Sequence, residues 1–119
     1  EKRREHAKLY TELLKGTGIV TPGECSGNTP VYHLYVVATK KRDELQAYLK
    51  DQGIFTGIHY PIPVHLQKAM EFLGYKPGDF PVTEQAVSQI LSLPMYAELE
   101  NSEIQYVVDV IKKWLAQTA

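Results

Sequence analysis

The densest group of chemically useful side chains lies in residues 59–67, which read His-Tyr-Pro-Ile-Pro-Val-His-Leu-Gln. Two imidazoles, one phenol and one amide fall within these nine residues, and the prolines restrict the backbone between them. Such a loop holds polar groups on a rigid support, which binding sites need. A proline-rich turn with surface histidines is the structural alternative. We favour the binding interpretation.

Other chemistry finds little support in the sequence. His59 and His65 match no metal-ligand spacing, and no second cysteine or nearby carboxylate completes a set, so we predict no metal site. Cys25 lies in a polar loop without a recognisable base partner, and Ser92 is interpreted as a strand-end hydroxyl rather than a nucleophile. The glycines form no phosphate-binding motif. The residues alone therefore predict no metal site, no cysteine or serine nucleophile and no phosphate-binding loop.

Length and charge restrict the class of protein. The chain has 119 residues and a formal net charge of -1, with 44% hydrophobic and 23% charged residues, which predicts one globular domain over residues 1–119. Balanced charge leaves no basic stripe, so we expect no nucleic-acid partner. One cysteine indicates a reducing compartment and a cytoplasmic location. No apolar run approaches the roughly 20 residues of a membrane helix, so no membrane association is expected.

The elements that must position the loop follow from hydrophobic spacing. Helical spacing and β-branched or aromatic runs alternate along the chain. The predicted helices cover residues 1–15, 42–52, 66–73, 81–90 and 101–115, and the predicted strands cover residues 31–38, 54–60 and 91–94. Together they predict an α/β (α+β) domain: a small, few-stranded sheet with helices packed mainly on one face.

The sequence also predicts the environment of one strand, one glycine and one helix face within these elements. The strand at 31–38 shows almost no alternation, which predicts two covered faces and a buried or half-buried His33. Gly57, inside the predicted strand at 54–60, indicates a bulge or a close approach by another backbone. The helix that begins at Pro81 places Val82, Ala86 and Ile90 on one face.

Linked motifs over nearly the whole chain resemble the C-terminal part of the DegT/DnrJ/StrS sugar aminotransferases. The motifs keep the family's order and spacing. They are Tyr-His-Leu-Tyr-Val at 32–36, Arg-Asp with Leu45 at 42–45, Gly-Ile at 53–54, the histidine-rich loop at 59–67, Gly-Asp-Phe-Pro with Glu84 at 78–84, and Leu-Ser-Leu-Pro-Met at 91–95.

The resemblance implies the C-terminal small domain of a fold type I enzyme that uses pyridoxal phosphate (PLP). Such an enzyme moves an amino group, usually from glutamate, onto a keto-sugar attached to a nucleotide diphosphate. The small domain closes the sugar side of the cleft, and full-length members are usually homodimers. By this match His59, Tyr60 and His65 are expected to contact the sugar or phosphate of the nucleotide-sugar substrate, with Gln67 as a further candidate.

The same resemblance implies that the catalytic lysine and the main PLP contacts belong to a large domain outside this sequence. None of the ten lysines lies in the family's lysine motif, so this chain alone is expected neither to bind PLP tightly nor to transaminate. The chain begins with Glu1 rather than Met, which favours a piece of a longer protein. The expected partners are its own large domain and a second copy of the full-length chain.

Two further interpretations concern the substrate and the class of protein. The only arginines are Arg3, Arg4 and Arg42, and none lies in the histidine-rich loop, which favours a sugar over an amino acid on this side of the cleft. The alternative to an enzyme fragment is a stand-alone regulatory or binding module that uses the same small domain without catalysis. An independent small hydrolase lacks a nucleophile–base pair.

Overall fold

The computed structural model describes residues 1–118, in which helices alternate with two short strands. Within these residues no helix is long and apolar enough to cross a membrane. The elements in chain order are α1 (Lys2–Leu14), β1 (Tyr35–Ala38), α2 (Arg42–Asp51), 3-10 helices at Val64–Leu66 and Lys68–Leu73, α3 (Pro81–Gln89), β2 (Ile90–Leu93) and α4 (Asn101–Thr118).

The sheet consists of β1 and β2, which pair antiparallel with Tyr35 opposite Leu93 and Ala38 opposite Ile90. One isolated bridge extends it at each edge, from Val20 to Ala38 and from Gly57 to Ser92. The helices pack mainly on one face of this small sheet. The predicted few-stranded α+β fold is therefore confirmed.

The predicted strand at 54–60 is wrong, because only Gly57 pairs with β2. In that register residue 55 would lie opposite Pro94, which has no N–H to donate. On the other side residue 59 would need the carbonyl of Ile90, and the Arg42 guanidinium already donates to that oxygen at 3.0 Å. The ladder therefore stops after one pair.

The predicted strand at 31–38 begins only at Tyr35. Tyr32 has a φ of 48°, outside the extended region, and the Arg3 guanidinium donates to the carbonyl oxygens of Tyr32 and His33 at 3.3 and 2.8 Å. His33 is exposed, so the prediction that it is buried or half-buried is wrong. Burial alternates along β1, with one face buried and the other half-buried, rather than both covered.

The core forms where α4 packs against α1 and α2. The predicted apolar stripe on the last helix is buried as expected, with Ile104, Val108 and Ile111 fully shielded from solvent. On the sheet side, the rings of Tyr10 and Tyr35 stack with their centroids 4.9 Å apart. We call α1, β1, α2, β2 and α4 together the platform.

Residues 59–89, which we call the lobe, pack little against the platform. The lobe holds the two 3-10 helices and α3, so the helix predicted around 66–73 forms as 3-10 turns that end at Gly74, with φ of 73°. No residue of α3 is buried, and Val82 is 80% exposed. The exposed large apolar side chains of the lobe are Tyr60, Ile62, Val64, Phe72, Leu73, Tyr75, Phe80 and Val82.

Candidate functional site

The site begins where the chain leaves the edge of the sheet at Gly57. Both backbone groups of Gly57 pair with Ser92, at N···O distances of 3.1 and 2.7 Å. The imidazole of His59 folds back over this glycine, and its Nδ1 lies 2.9 Å from the Ser92 hydroxyl oxygen. A Cβ atom on residue 57 would lie 2.6 Å from Cε1 of His59, so this arrangement requires glycine. The sequence predicted a close approach here, by a backbone; the Ser92 backbone and an imidazole both make it.

Tyr60 follows directly and is 67% exposed. Its ring meets the His59 ring edge to face, with centroids 5.6 Å apart. The peptide bond between the two residues is cis. An imidazole and a phenol are thus presented to solvent side by side, on a loop that is tied to β2.

His65, the second predicted imidazole, points into the lobe. Its side chain is 8% exposed, and Nε2 lies 3.0 Å from a carboxylate oxygen of Glu84. The ring packs against Phe80 and Tyr75, at centroid distances of 4.7 and 6.4 Å. His65 therefore joins the two ends of the lobe, and its Nε2 is engaged in this pair.

Glu84 organises the turn that leads into α3. Its carboxylate accepts hydrogen bonds from the backbone N–H of Gly78 at 2.9 Å and of Phe80 at 3.3 Å. The Gly78 N–H is the main cause that lowers the pKa of Glu84, with the His65 contact adding to it and partial desolvation opposing it. Glu84 is therefore an anion at neutral pH, and it also stabilises the positive end of α3.

Gln67 lies between the two 3-10 helices and is half-buried. With His65, Lys68, Glu71 and Tyr75 it lines a cleft of about 380 Å³. The four predicted residues thus fall into two groups, one of His59 with Tyr60 and one of His65 with Gln67. Within residues 1–118, no hydrogen bond or ring contact joins the two groups.

Helix α1 holds the chain immediately after β2 through three side chains. Arg3 donates to the Met95 carbonyl at 3.2 Å, the Tyr10 hydroxyl donates to the Pro94 carbonyl at 3.1 Å, and His6 Nδ1 binds the Tyr96 carbonyl at 3.2 Å. Three successive carbonyl oxygens are satisfied in this way. The strand that carries Ser92 is thereby anchored from behind.

Sequence reasoning interpreted Ser92 as a strand-end hydroxyl and did not predict its contact with His59. The signal that could have found it is a hydroxyl between two leucines in an apolar strand, because a buried hydroxyl needs a hydrogen-bond partner. Sequence reasoning also missed the role of Arg42, whose guanidinium donates to the Val87 and Ile90 carbonyls at the end of α3. A cation at that end is favourable for the helix dipole.

The lysines of this chain are the groups that a PLP site would require. All ten lysines are exposed to solvent. A Schiff-base lysine is instead held in a cleft beside the cofactor, where its surroundings activate the amine. Residues 1–118 therefore do not fit a complete PLP site. Within the same residues, no cluster of three or more metal-ligating side chains converges.

A larger groove of about 500 Å³ lies away from the four predicted residues, between residues 53–55 and the start of α4. Its lining is mostly apolar and includes Phe55, Leu99 and Tyr106. The His59–Tyr60 edge presents an imidazole and a phenol, which can form hydrogen bonds with a sugar or a phosphate. We therefore take that edge as the candidate site.

Comparison with known proteins covers almost the whole chain. A sequence profile of the DegT/DnrJ/EryC1/StrS aminotransferase family matches residues 1–112. The pleiotropic regulatory protein of Geobacillus stearothermophilus is 49% identical over 96% of this chain. The dTDP-3-amino-3,6-dideoxy-alpha-D-galactopyranose transaminase of Aneurinibacillus thermoaerophilus is 38% identical, also over 96%.

The fold matches a solved structure from the same group of proteins. The crystal structure of S. venezuelae DesV in complex with a ketimine intermediate superposes with a TM-score of 0.92 and 37% identity over 96% of this chain. The match covers 31% of DesV, and this chain spans 32% and 31% of the two curated relatives. The chain therefore corresponds to about a third of each of these proteins.

Proposed function

The chain belongs to the DegT/DnrJ/EryC1/StrS aminotransferase family, and we propose that its full-length protein is a PLP-dependent nucleotide-sugar aminotransferase. The reaction moves an amino group, from glutamate, onto a keto-sugar carried by a nucleotide diphosphate. The observation that carries this proposal is the match to DesV at a TM-score of 0.92 over 96% of the chain. The transaminase from Aneurinibacillus supports the same substrate class.

Within that enzyme, residues 1–118 form the small domain and bind rather than react. His59 and Tyr60 offer neutral polar atoms at an exposed edge, and such groups suit sugar hydroxyls and phosphate oxygens. Gln67 is a further contact from the 380 Å³ cleft, and His65 forms the wall behind it. When bound, PLP supplies the electron sink for amino transfer. The lysine and phosphate contacts for PLP come from the large domain.

We propose that the surface of the lobe is covered in the full-length protein. Eight large apolar side chains of the lobe are exposed, including Ile62, Phe72 and Val82, and exposed apolar surface of this kind is typical of an interface. We assign this surface to contact with the large domain or with the second subunit of a homodimer. The 119-residue chain alone is inactive in this proposal, because it lacks a Schiff-base lysine.

The test is an assay of the purified full-length protein with PLP. A panel of dTDP- and UDP-linked amino sugars is incubated with 2-oxoglutarate, and glutamate is measured. We expect glutamate from at least one amino sugar, and a lower kcat/KM for His59→Gln than for the exposed control Ser88→Ala. Failure to form glutamate with any member of the panel, by protein that has bound PLP, would contradict the proposal.

A second candidate is a regulatory or binding protein without catalysis, because the Geobacillus relative at 49% identity carries a regulatory name. This candidate uses the same exposed edge to bind a nucleotide sugar. One measurement distinguishes the two candidate functions. If the full-length protein binds a dTDP- or UDP-sugar in calorimetry but forms no glutamate, the regulatory role fits. Binding together with turnover fits the aminotransferase.

A further inference from the structure

The Ser92 hydroxyl is buried in the sheet and faces the imidazole of His59. Ser92 is 5% exposed, and within residues 1–118 the only hydrogen-bond partner of its hydroxyl is His59 Nδ1, at 2.9 Å. A hydroxyl both donates and accepts, and a buried donor without an acceptor is costly. If Nδ1 carried the proton, the hydroxyl hydrogen of Ser92 would have no acceptor. The arrangement is satisfied when Ser92 donates to an unprotonated Nδ1.

That assignment determines the protonation of the other ring nitrogen, Nε2. In a neutral imidazole one nitrogen carries the proton and the other accepts, so an accepting Nδ1 leaves the proton on Nε2. Nε2 is then a hydrogen-bond donor. His59 is exposed next to the Tyr60 ring, and within residues 1–118 its Nε2 makes no hydrogen bond, so this donor is left for a ligand.

Gly57 restricts the ring from its other side. The position that a Cβ would take on residue 57 lies 2.6 Å from Cε1 and 3.3 Å from Nδ1 of His59, so the ring occupies the space that any side chain would need. The same glycine exchanges both backbone hydrogen bonds with Ser92. One residue pair thus fixes both the backbone from which the loop departs and the plane of the ring.

We propose that Ser92 and Gly57 are positioning residues that hold His59 as the Nε2–H tautomer, with Nε2–H directed to an acceptor oxygen of the sugar nucleotide. The acceptor is a carbonyl, hydroxyl or phosphate oxygen, because a neutral N–H donor can pair with any of these. The role in substrate binding rests on the proposed function, whereas the tautomer can be tested without it.

The tautomer is tested by nitrogen-15 NMR of the full-length protein with labelled histidine at pH 8. The His59 signals are those that disappear in His59→Gln. We expect a protonated Nε2 and an unprotonated Nδ1, whose resonance lies far downfield. Ser92→Ala is expected to give a mixture of tautomers, and Ser92→Thr, which keeps the hydroxyl, is expected to retain the single form. A protonated Nδ1 in the parent protein would overturn the proposal.

The positioning role is tested by kinetics with the amino-sugar nucleotide that the parent enzyme converts. Loss of one neutral hydrogen bond predicts about a threefold to tenfold rise in KM for Ser92→Ala, with kcat within about twofold. Gly57→Ala should raise KM at least as much, because it displaces the ring. Ser88→Ala, an exposed serine of α3, is the control and should leave both constants unchanged.

The outcomes separate this inference from the proposed function. If His59→Gln raises KM but Ser92→Ala and Gly57→Ala do not, the positioning role is overturned while the aminotransferase stands. If His59→Gln also leaves KM unchanged, His59 does not contact the substrate and the inference fails. If the parent forms no glutamate at all, the proposed function fails, and the NMR result still decides the tautomer.

Discussion

The platform and the lobe use the same kind of amphipathic helix with opposite results. In α4 the apolar stripe is buried, and Ile104 and Ile111 have no exposed surface. In α3 the corresponding stripe faces solvent, and Val82 is 80% exposed. The platform supplies its own covering surface from α1, α2 and the sheet, whereas the lobe has none within residues 1–118. An amphipathic pattern therefore predicts that a helix forms, but it does not predict which part of the protein covers the apolar face.

Polar contacts hold the lobe in place, whereas apolar packing holds the platform together. At its start His59 binds Ser92, and at its end Arg42 donates to the carbonyls of Val87 and Ile90. Between these points, Glu84 binds His65 and the Gly78 backbone. Both ends are thus attached to residues next to or within β2, so the lobe can project from the platform and remain oriented.

The largest expected effect is in the platform core. Ile111→Ala removes a fully buried side chain and is expected to lower the free energy of unfolding by about 2–5 kcal/mol. Val82→Ala, the matched change on the lobe, is expected to alter it by less than about 0.5 kcal/mol. Urea denaturation of the 119-residue chain measures both. Equal losses would mean that the lobe is part of the cooperative core, contrary to this comparison.

An intermediate effect is expected from the contacts that α1 makes behind β2. Arg3→Ala removes hydrogen bonds to the carbonyls of Tyr32, His33 and Met95, and hydrogen bonds to a charged group contribute about 1.5–3 kcal/mol. Arg4→Ala is the control, since Arg4 is exposed on the same helix. If thermal denaturation shows the same Tm for both variants, the anchoring role of Arg3 is refuted.

The smallest global effect is expected from Glu84→Gln, which acts inside the lobe. The amides of Gly78 and Phe80 should exchange faster with deuterium, while the unfolding free energy measured by urea stays unchanged. Glu71→Gln, on the exposed surface of the lobe, should change neither quantity. Unchanged exchange at Gly78 would show that Glu84 does not hold this turn.

The same contact carries a pH dependence. The folded-state pKa of Glu84 is lowered. The local stability that its carboxylate gives to the turn at 78–80 is therefore complete at neutral pH, above the unfolded pKa. It is lost as the pH falls through the lowered folded pKa. The protection of the Gly78 amide, measured as its exchange rate relative to that of an unstructured chain at the same pH, should therefore fall in acid in the parent chain and approach that of Glu84→Gln. A parent that differs from Glu84→Gln to the same extent at acid and neutral pH would contradict this sign.

The sequence predicted local elements better than contacts between distant residues, for a physical reason. The stripe of α4 and the end of a helix at Gly74 depend on local spacing and backbone conformation, which are visible in the sequence. The His59–Ser92 contact joins residues 33 positions apart, and the Arg3–Met95 contact joins residues 92 positions apart. Such pairs form only after the strands and helices have packed, so residue types alone do not indicate them.

At the candidate site, too, the sequence predicted the local segment but not its contacts with distant residues. Residue types and the proline spacing identified the histidine-rich loop, but not the different directions of its two imidazoles. His59 reaches an exposed edge because Gly57 leaves room for its ring, whereas His65 turns inward because Glu84 and Phe80 accommodate it. The contacts of His59, Tyr60, His65 and Gln67 with substrate all stay predictions.

We propose that the exposed apolar surface of the lobe is covered in the full-length protein, by the large domain or by a second subunit. The most direct test is amide hydrogen exchange of residues 59–89, compared between the 119-residue chain and the full-length protein with PLP. We predict much slower exchange of the lobe in the full-length protein, with α4 equally protected in both. Equal exchange of the lobe in both proteins would contradict the claim.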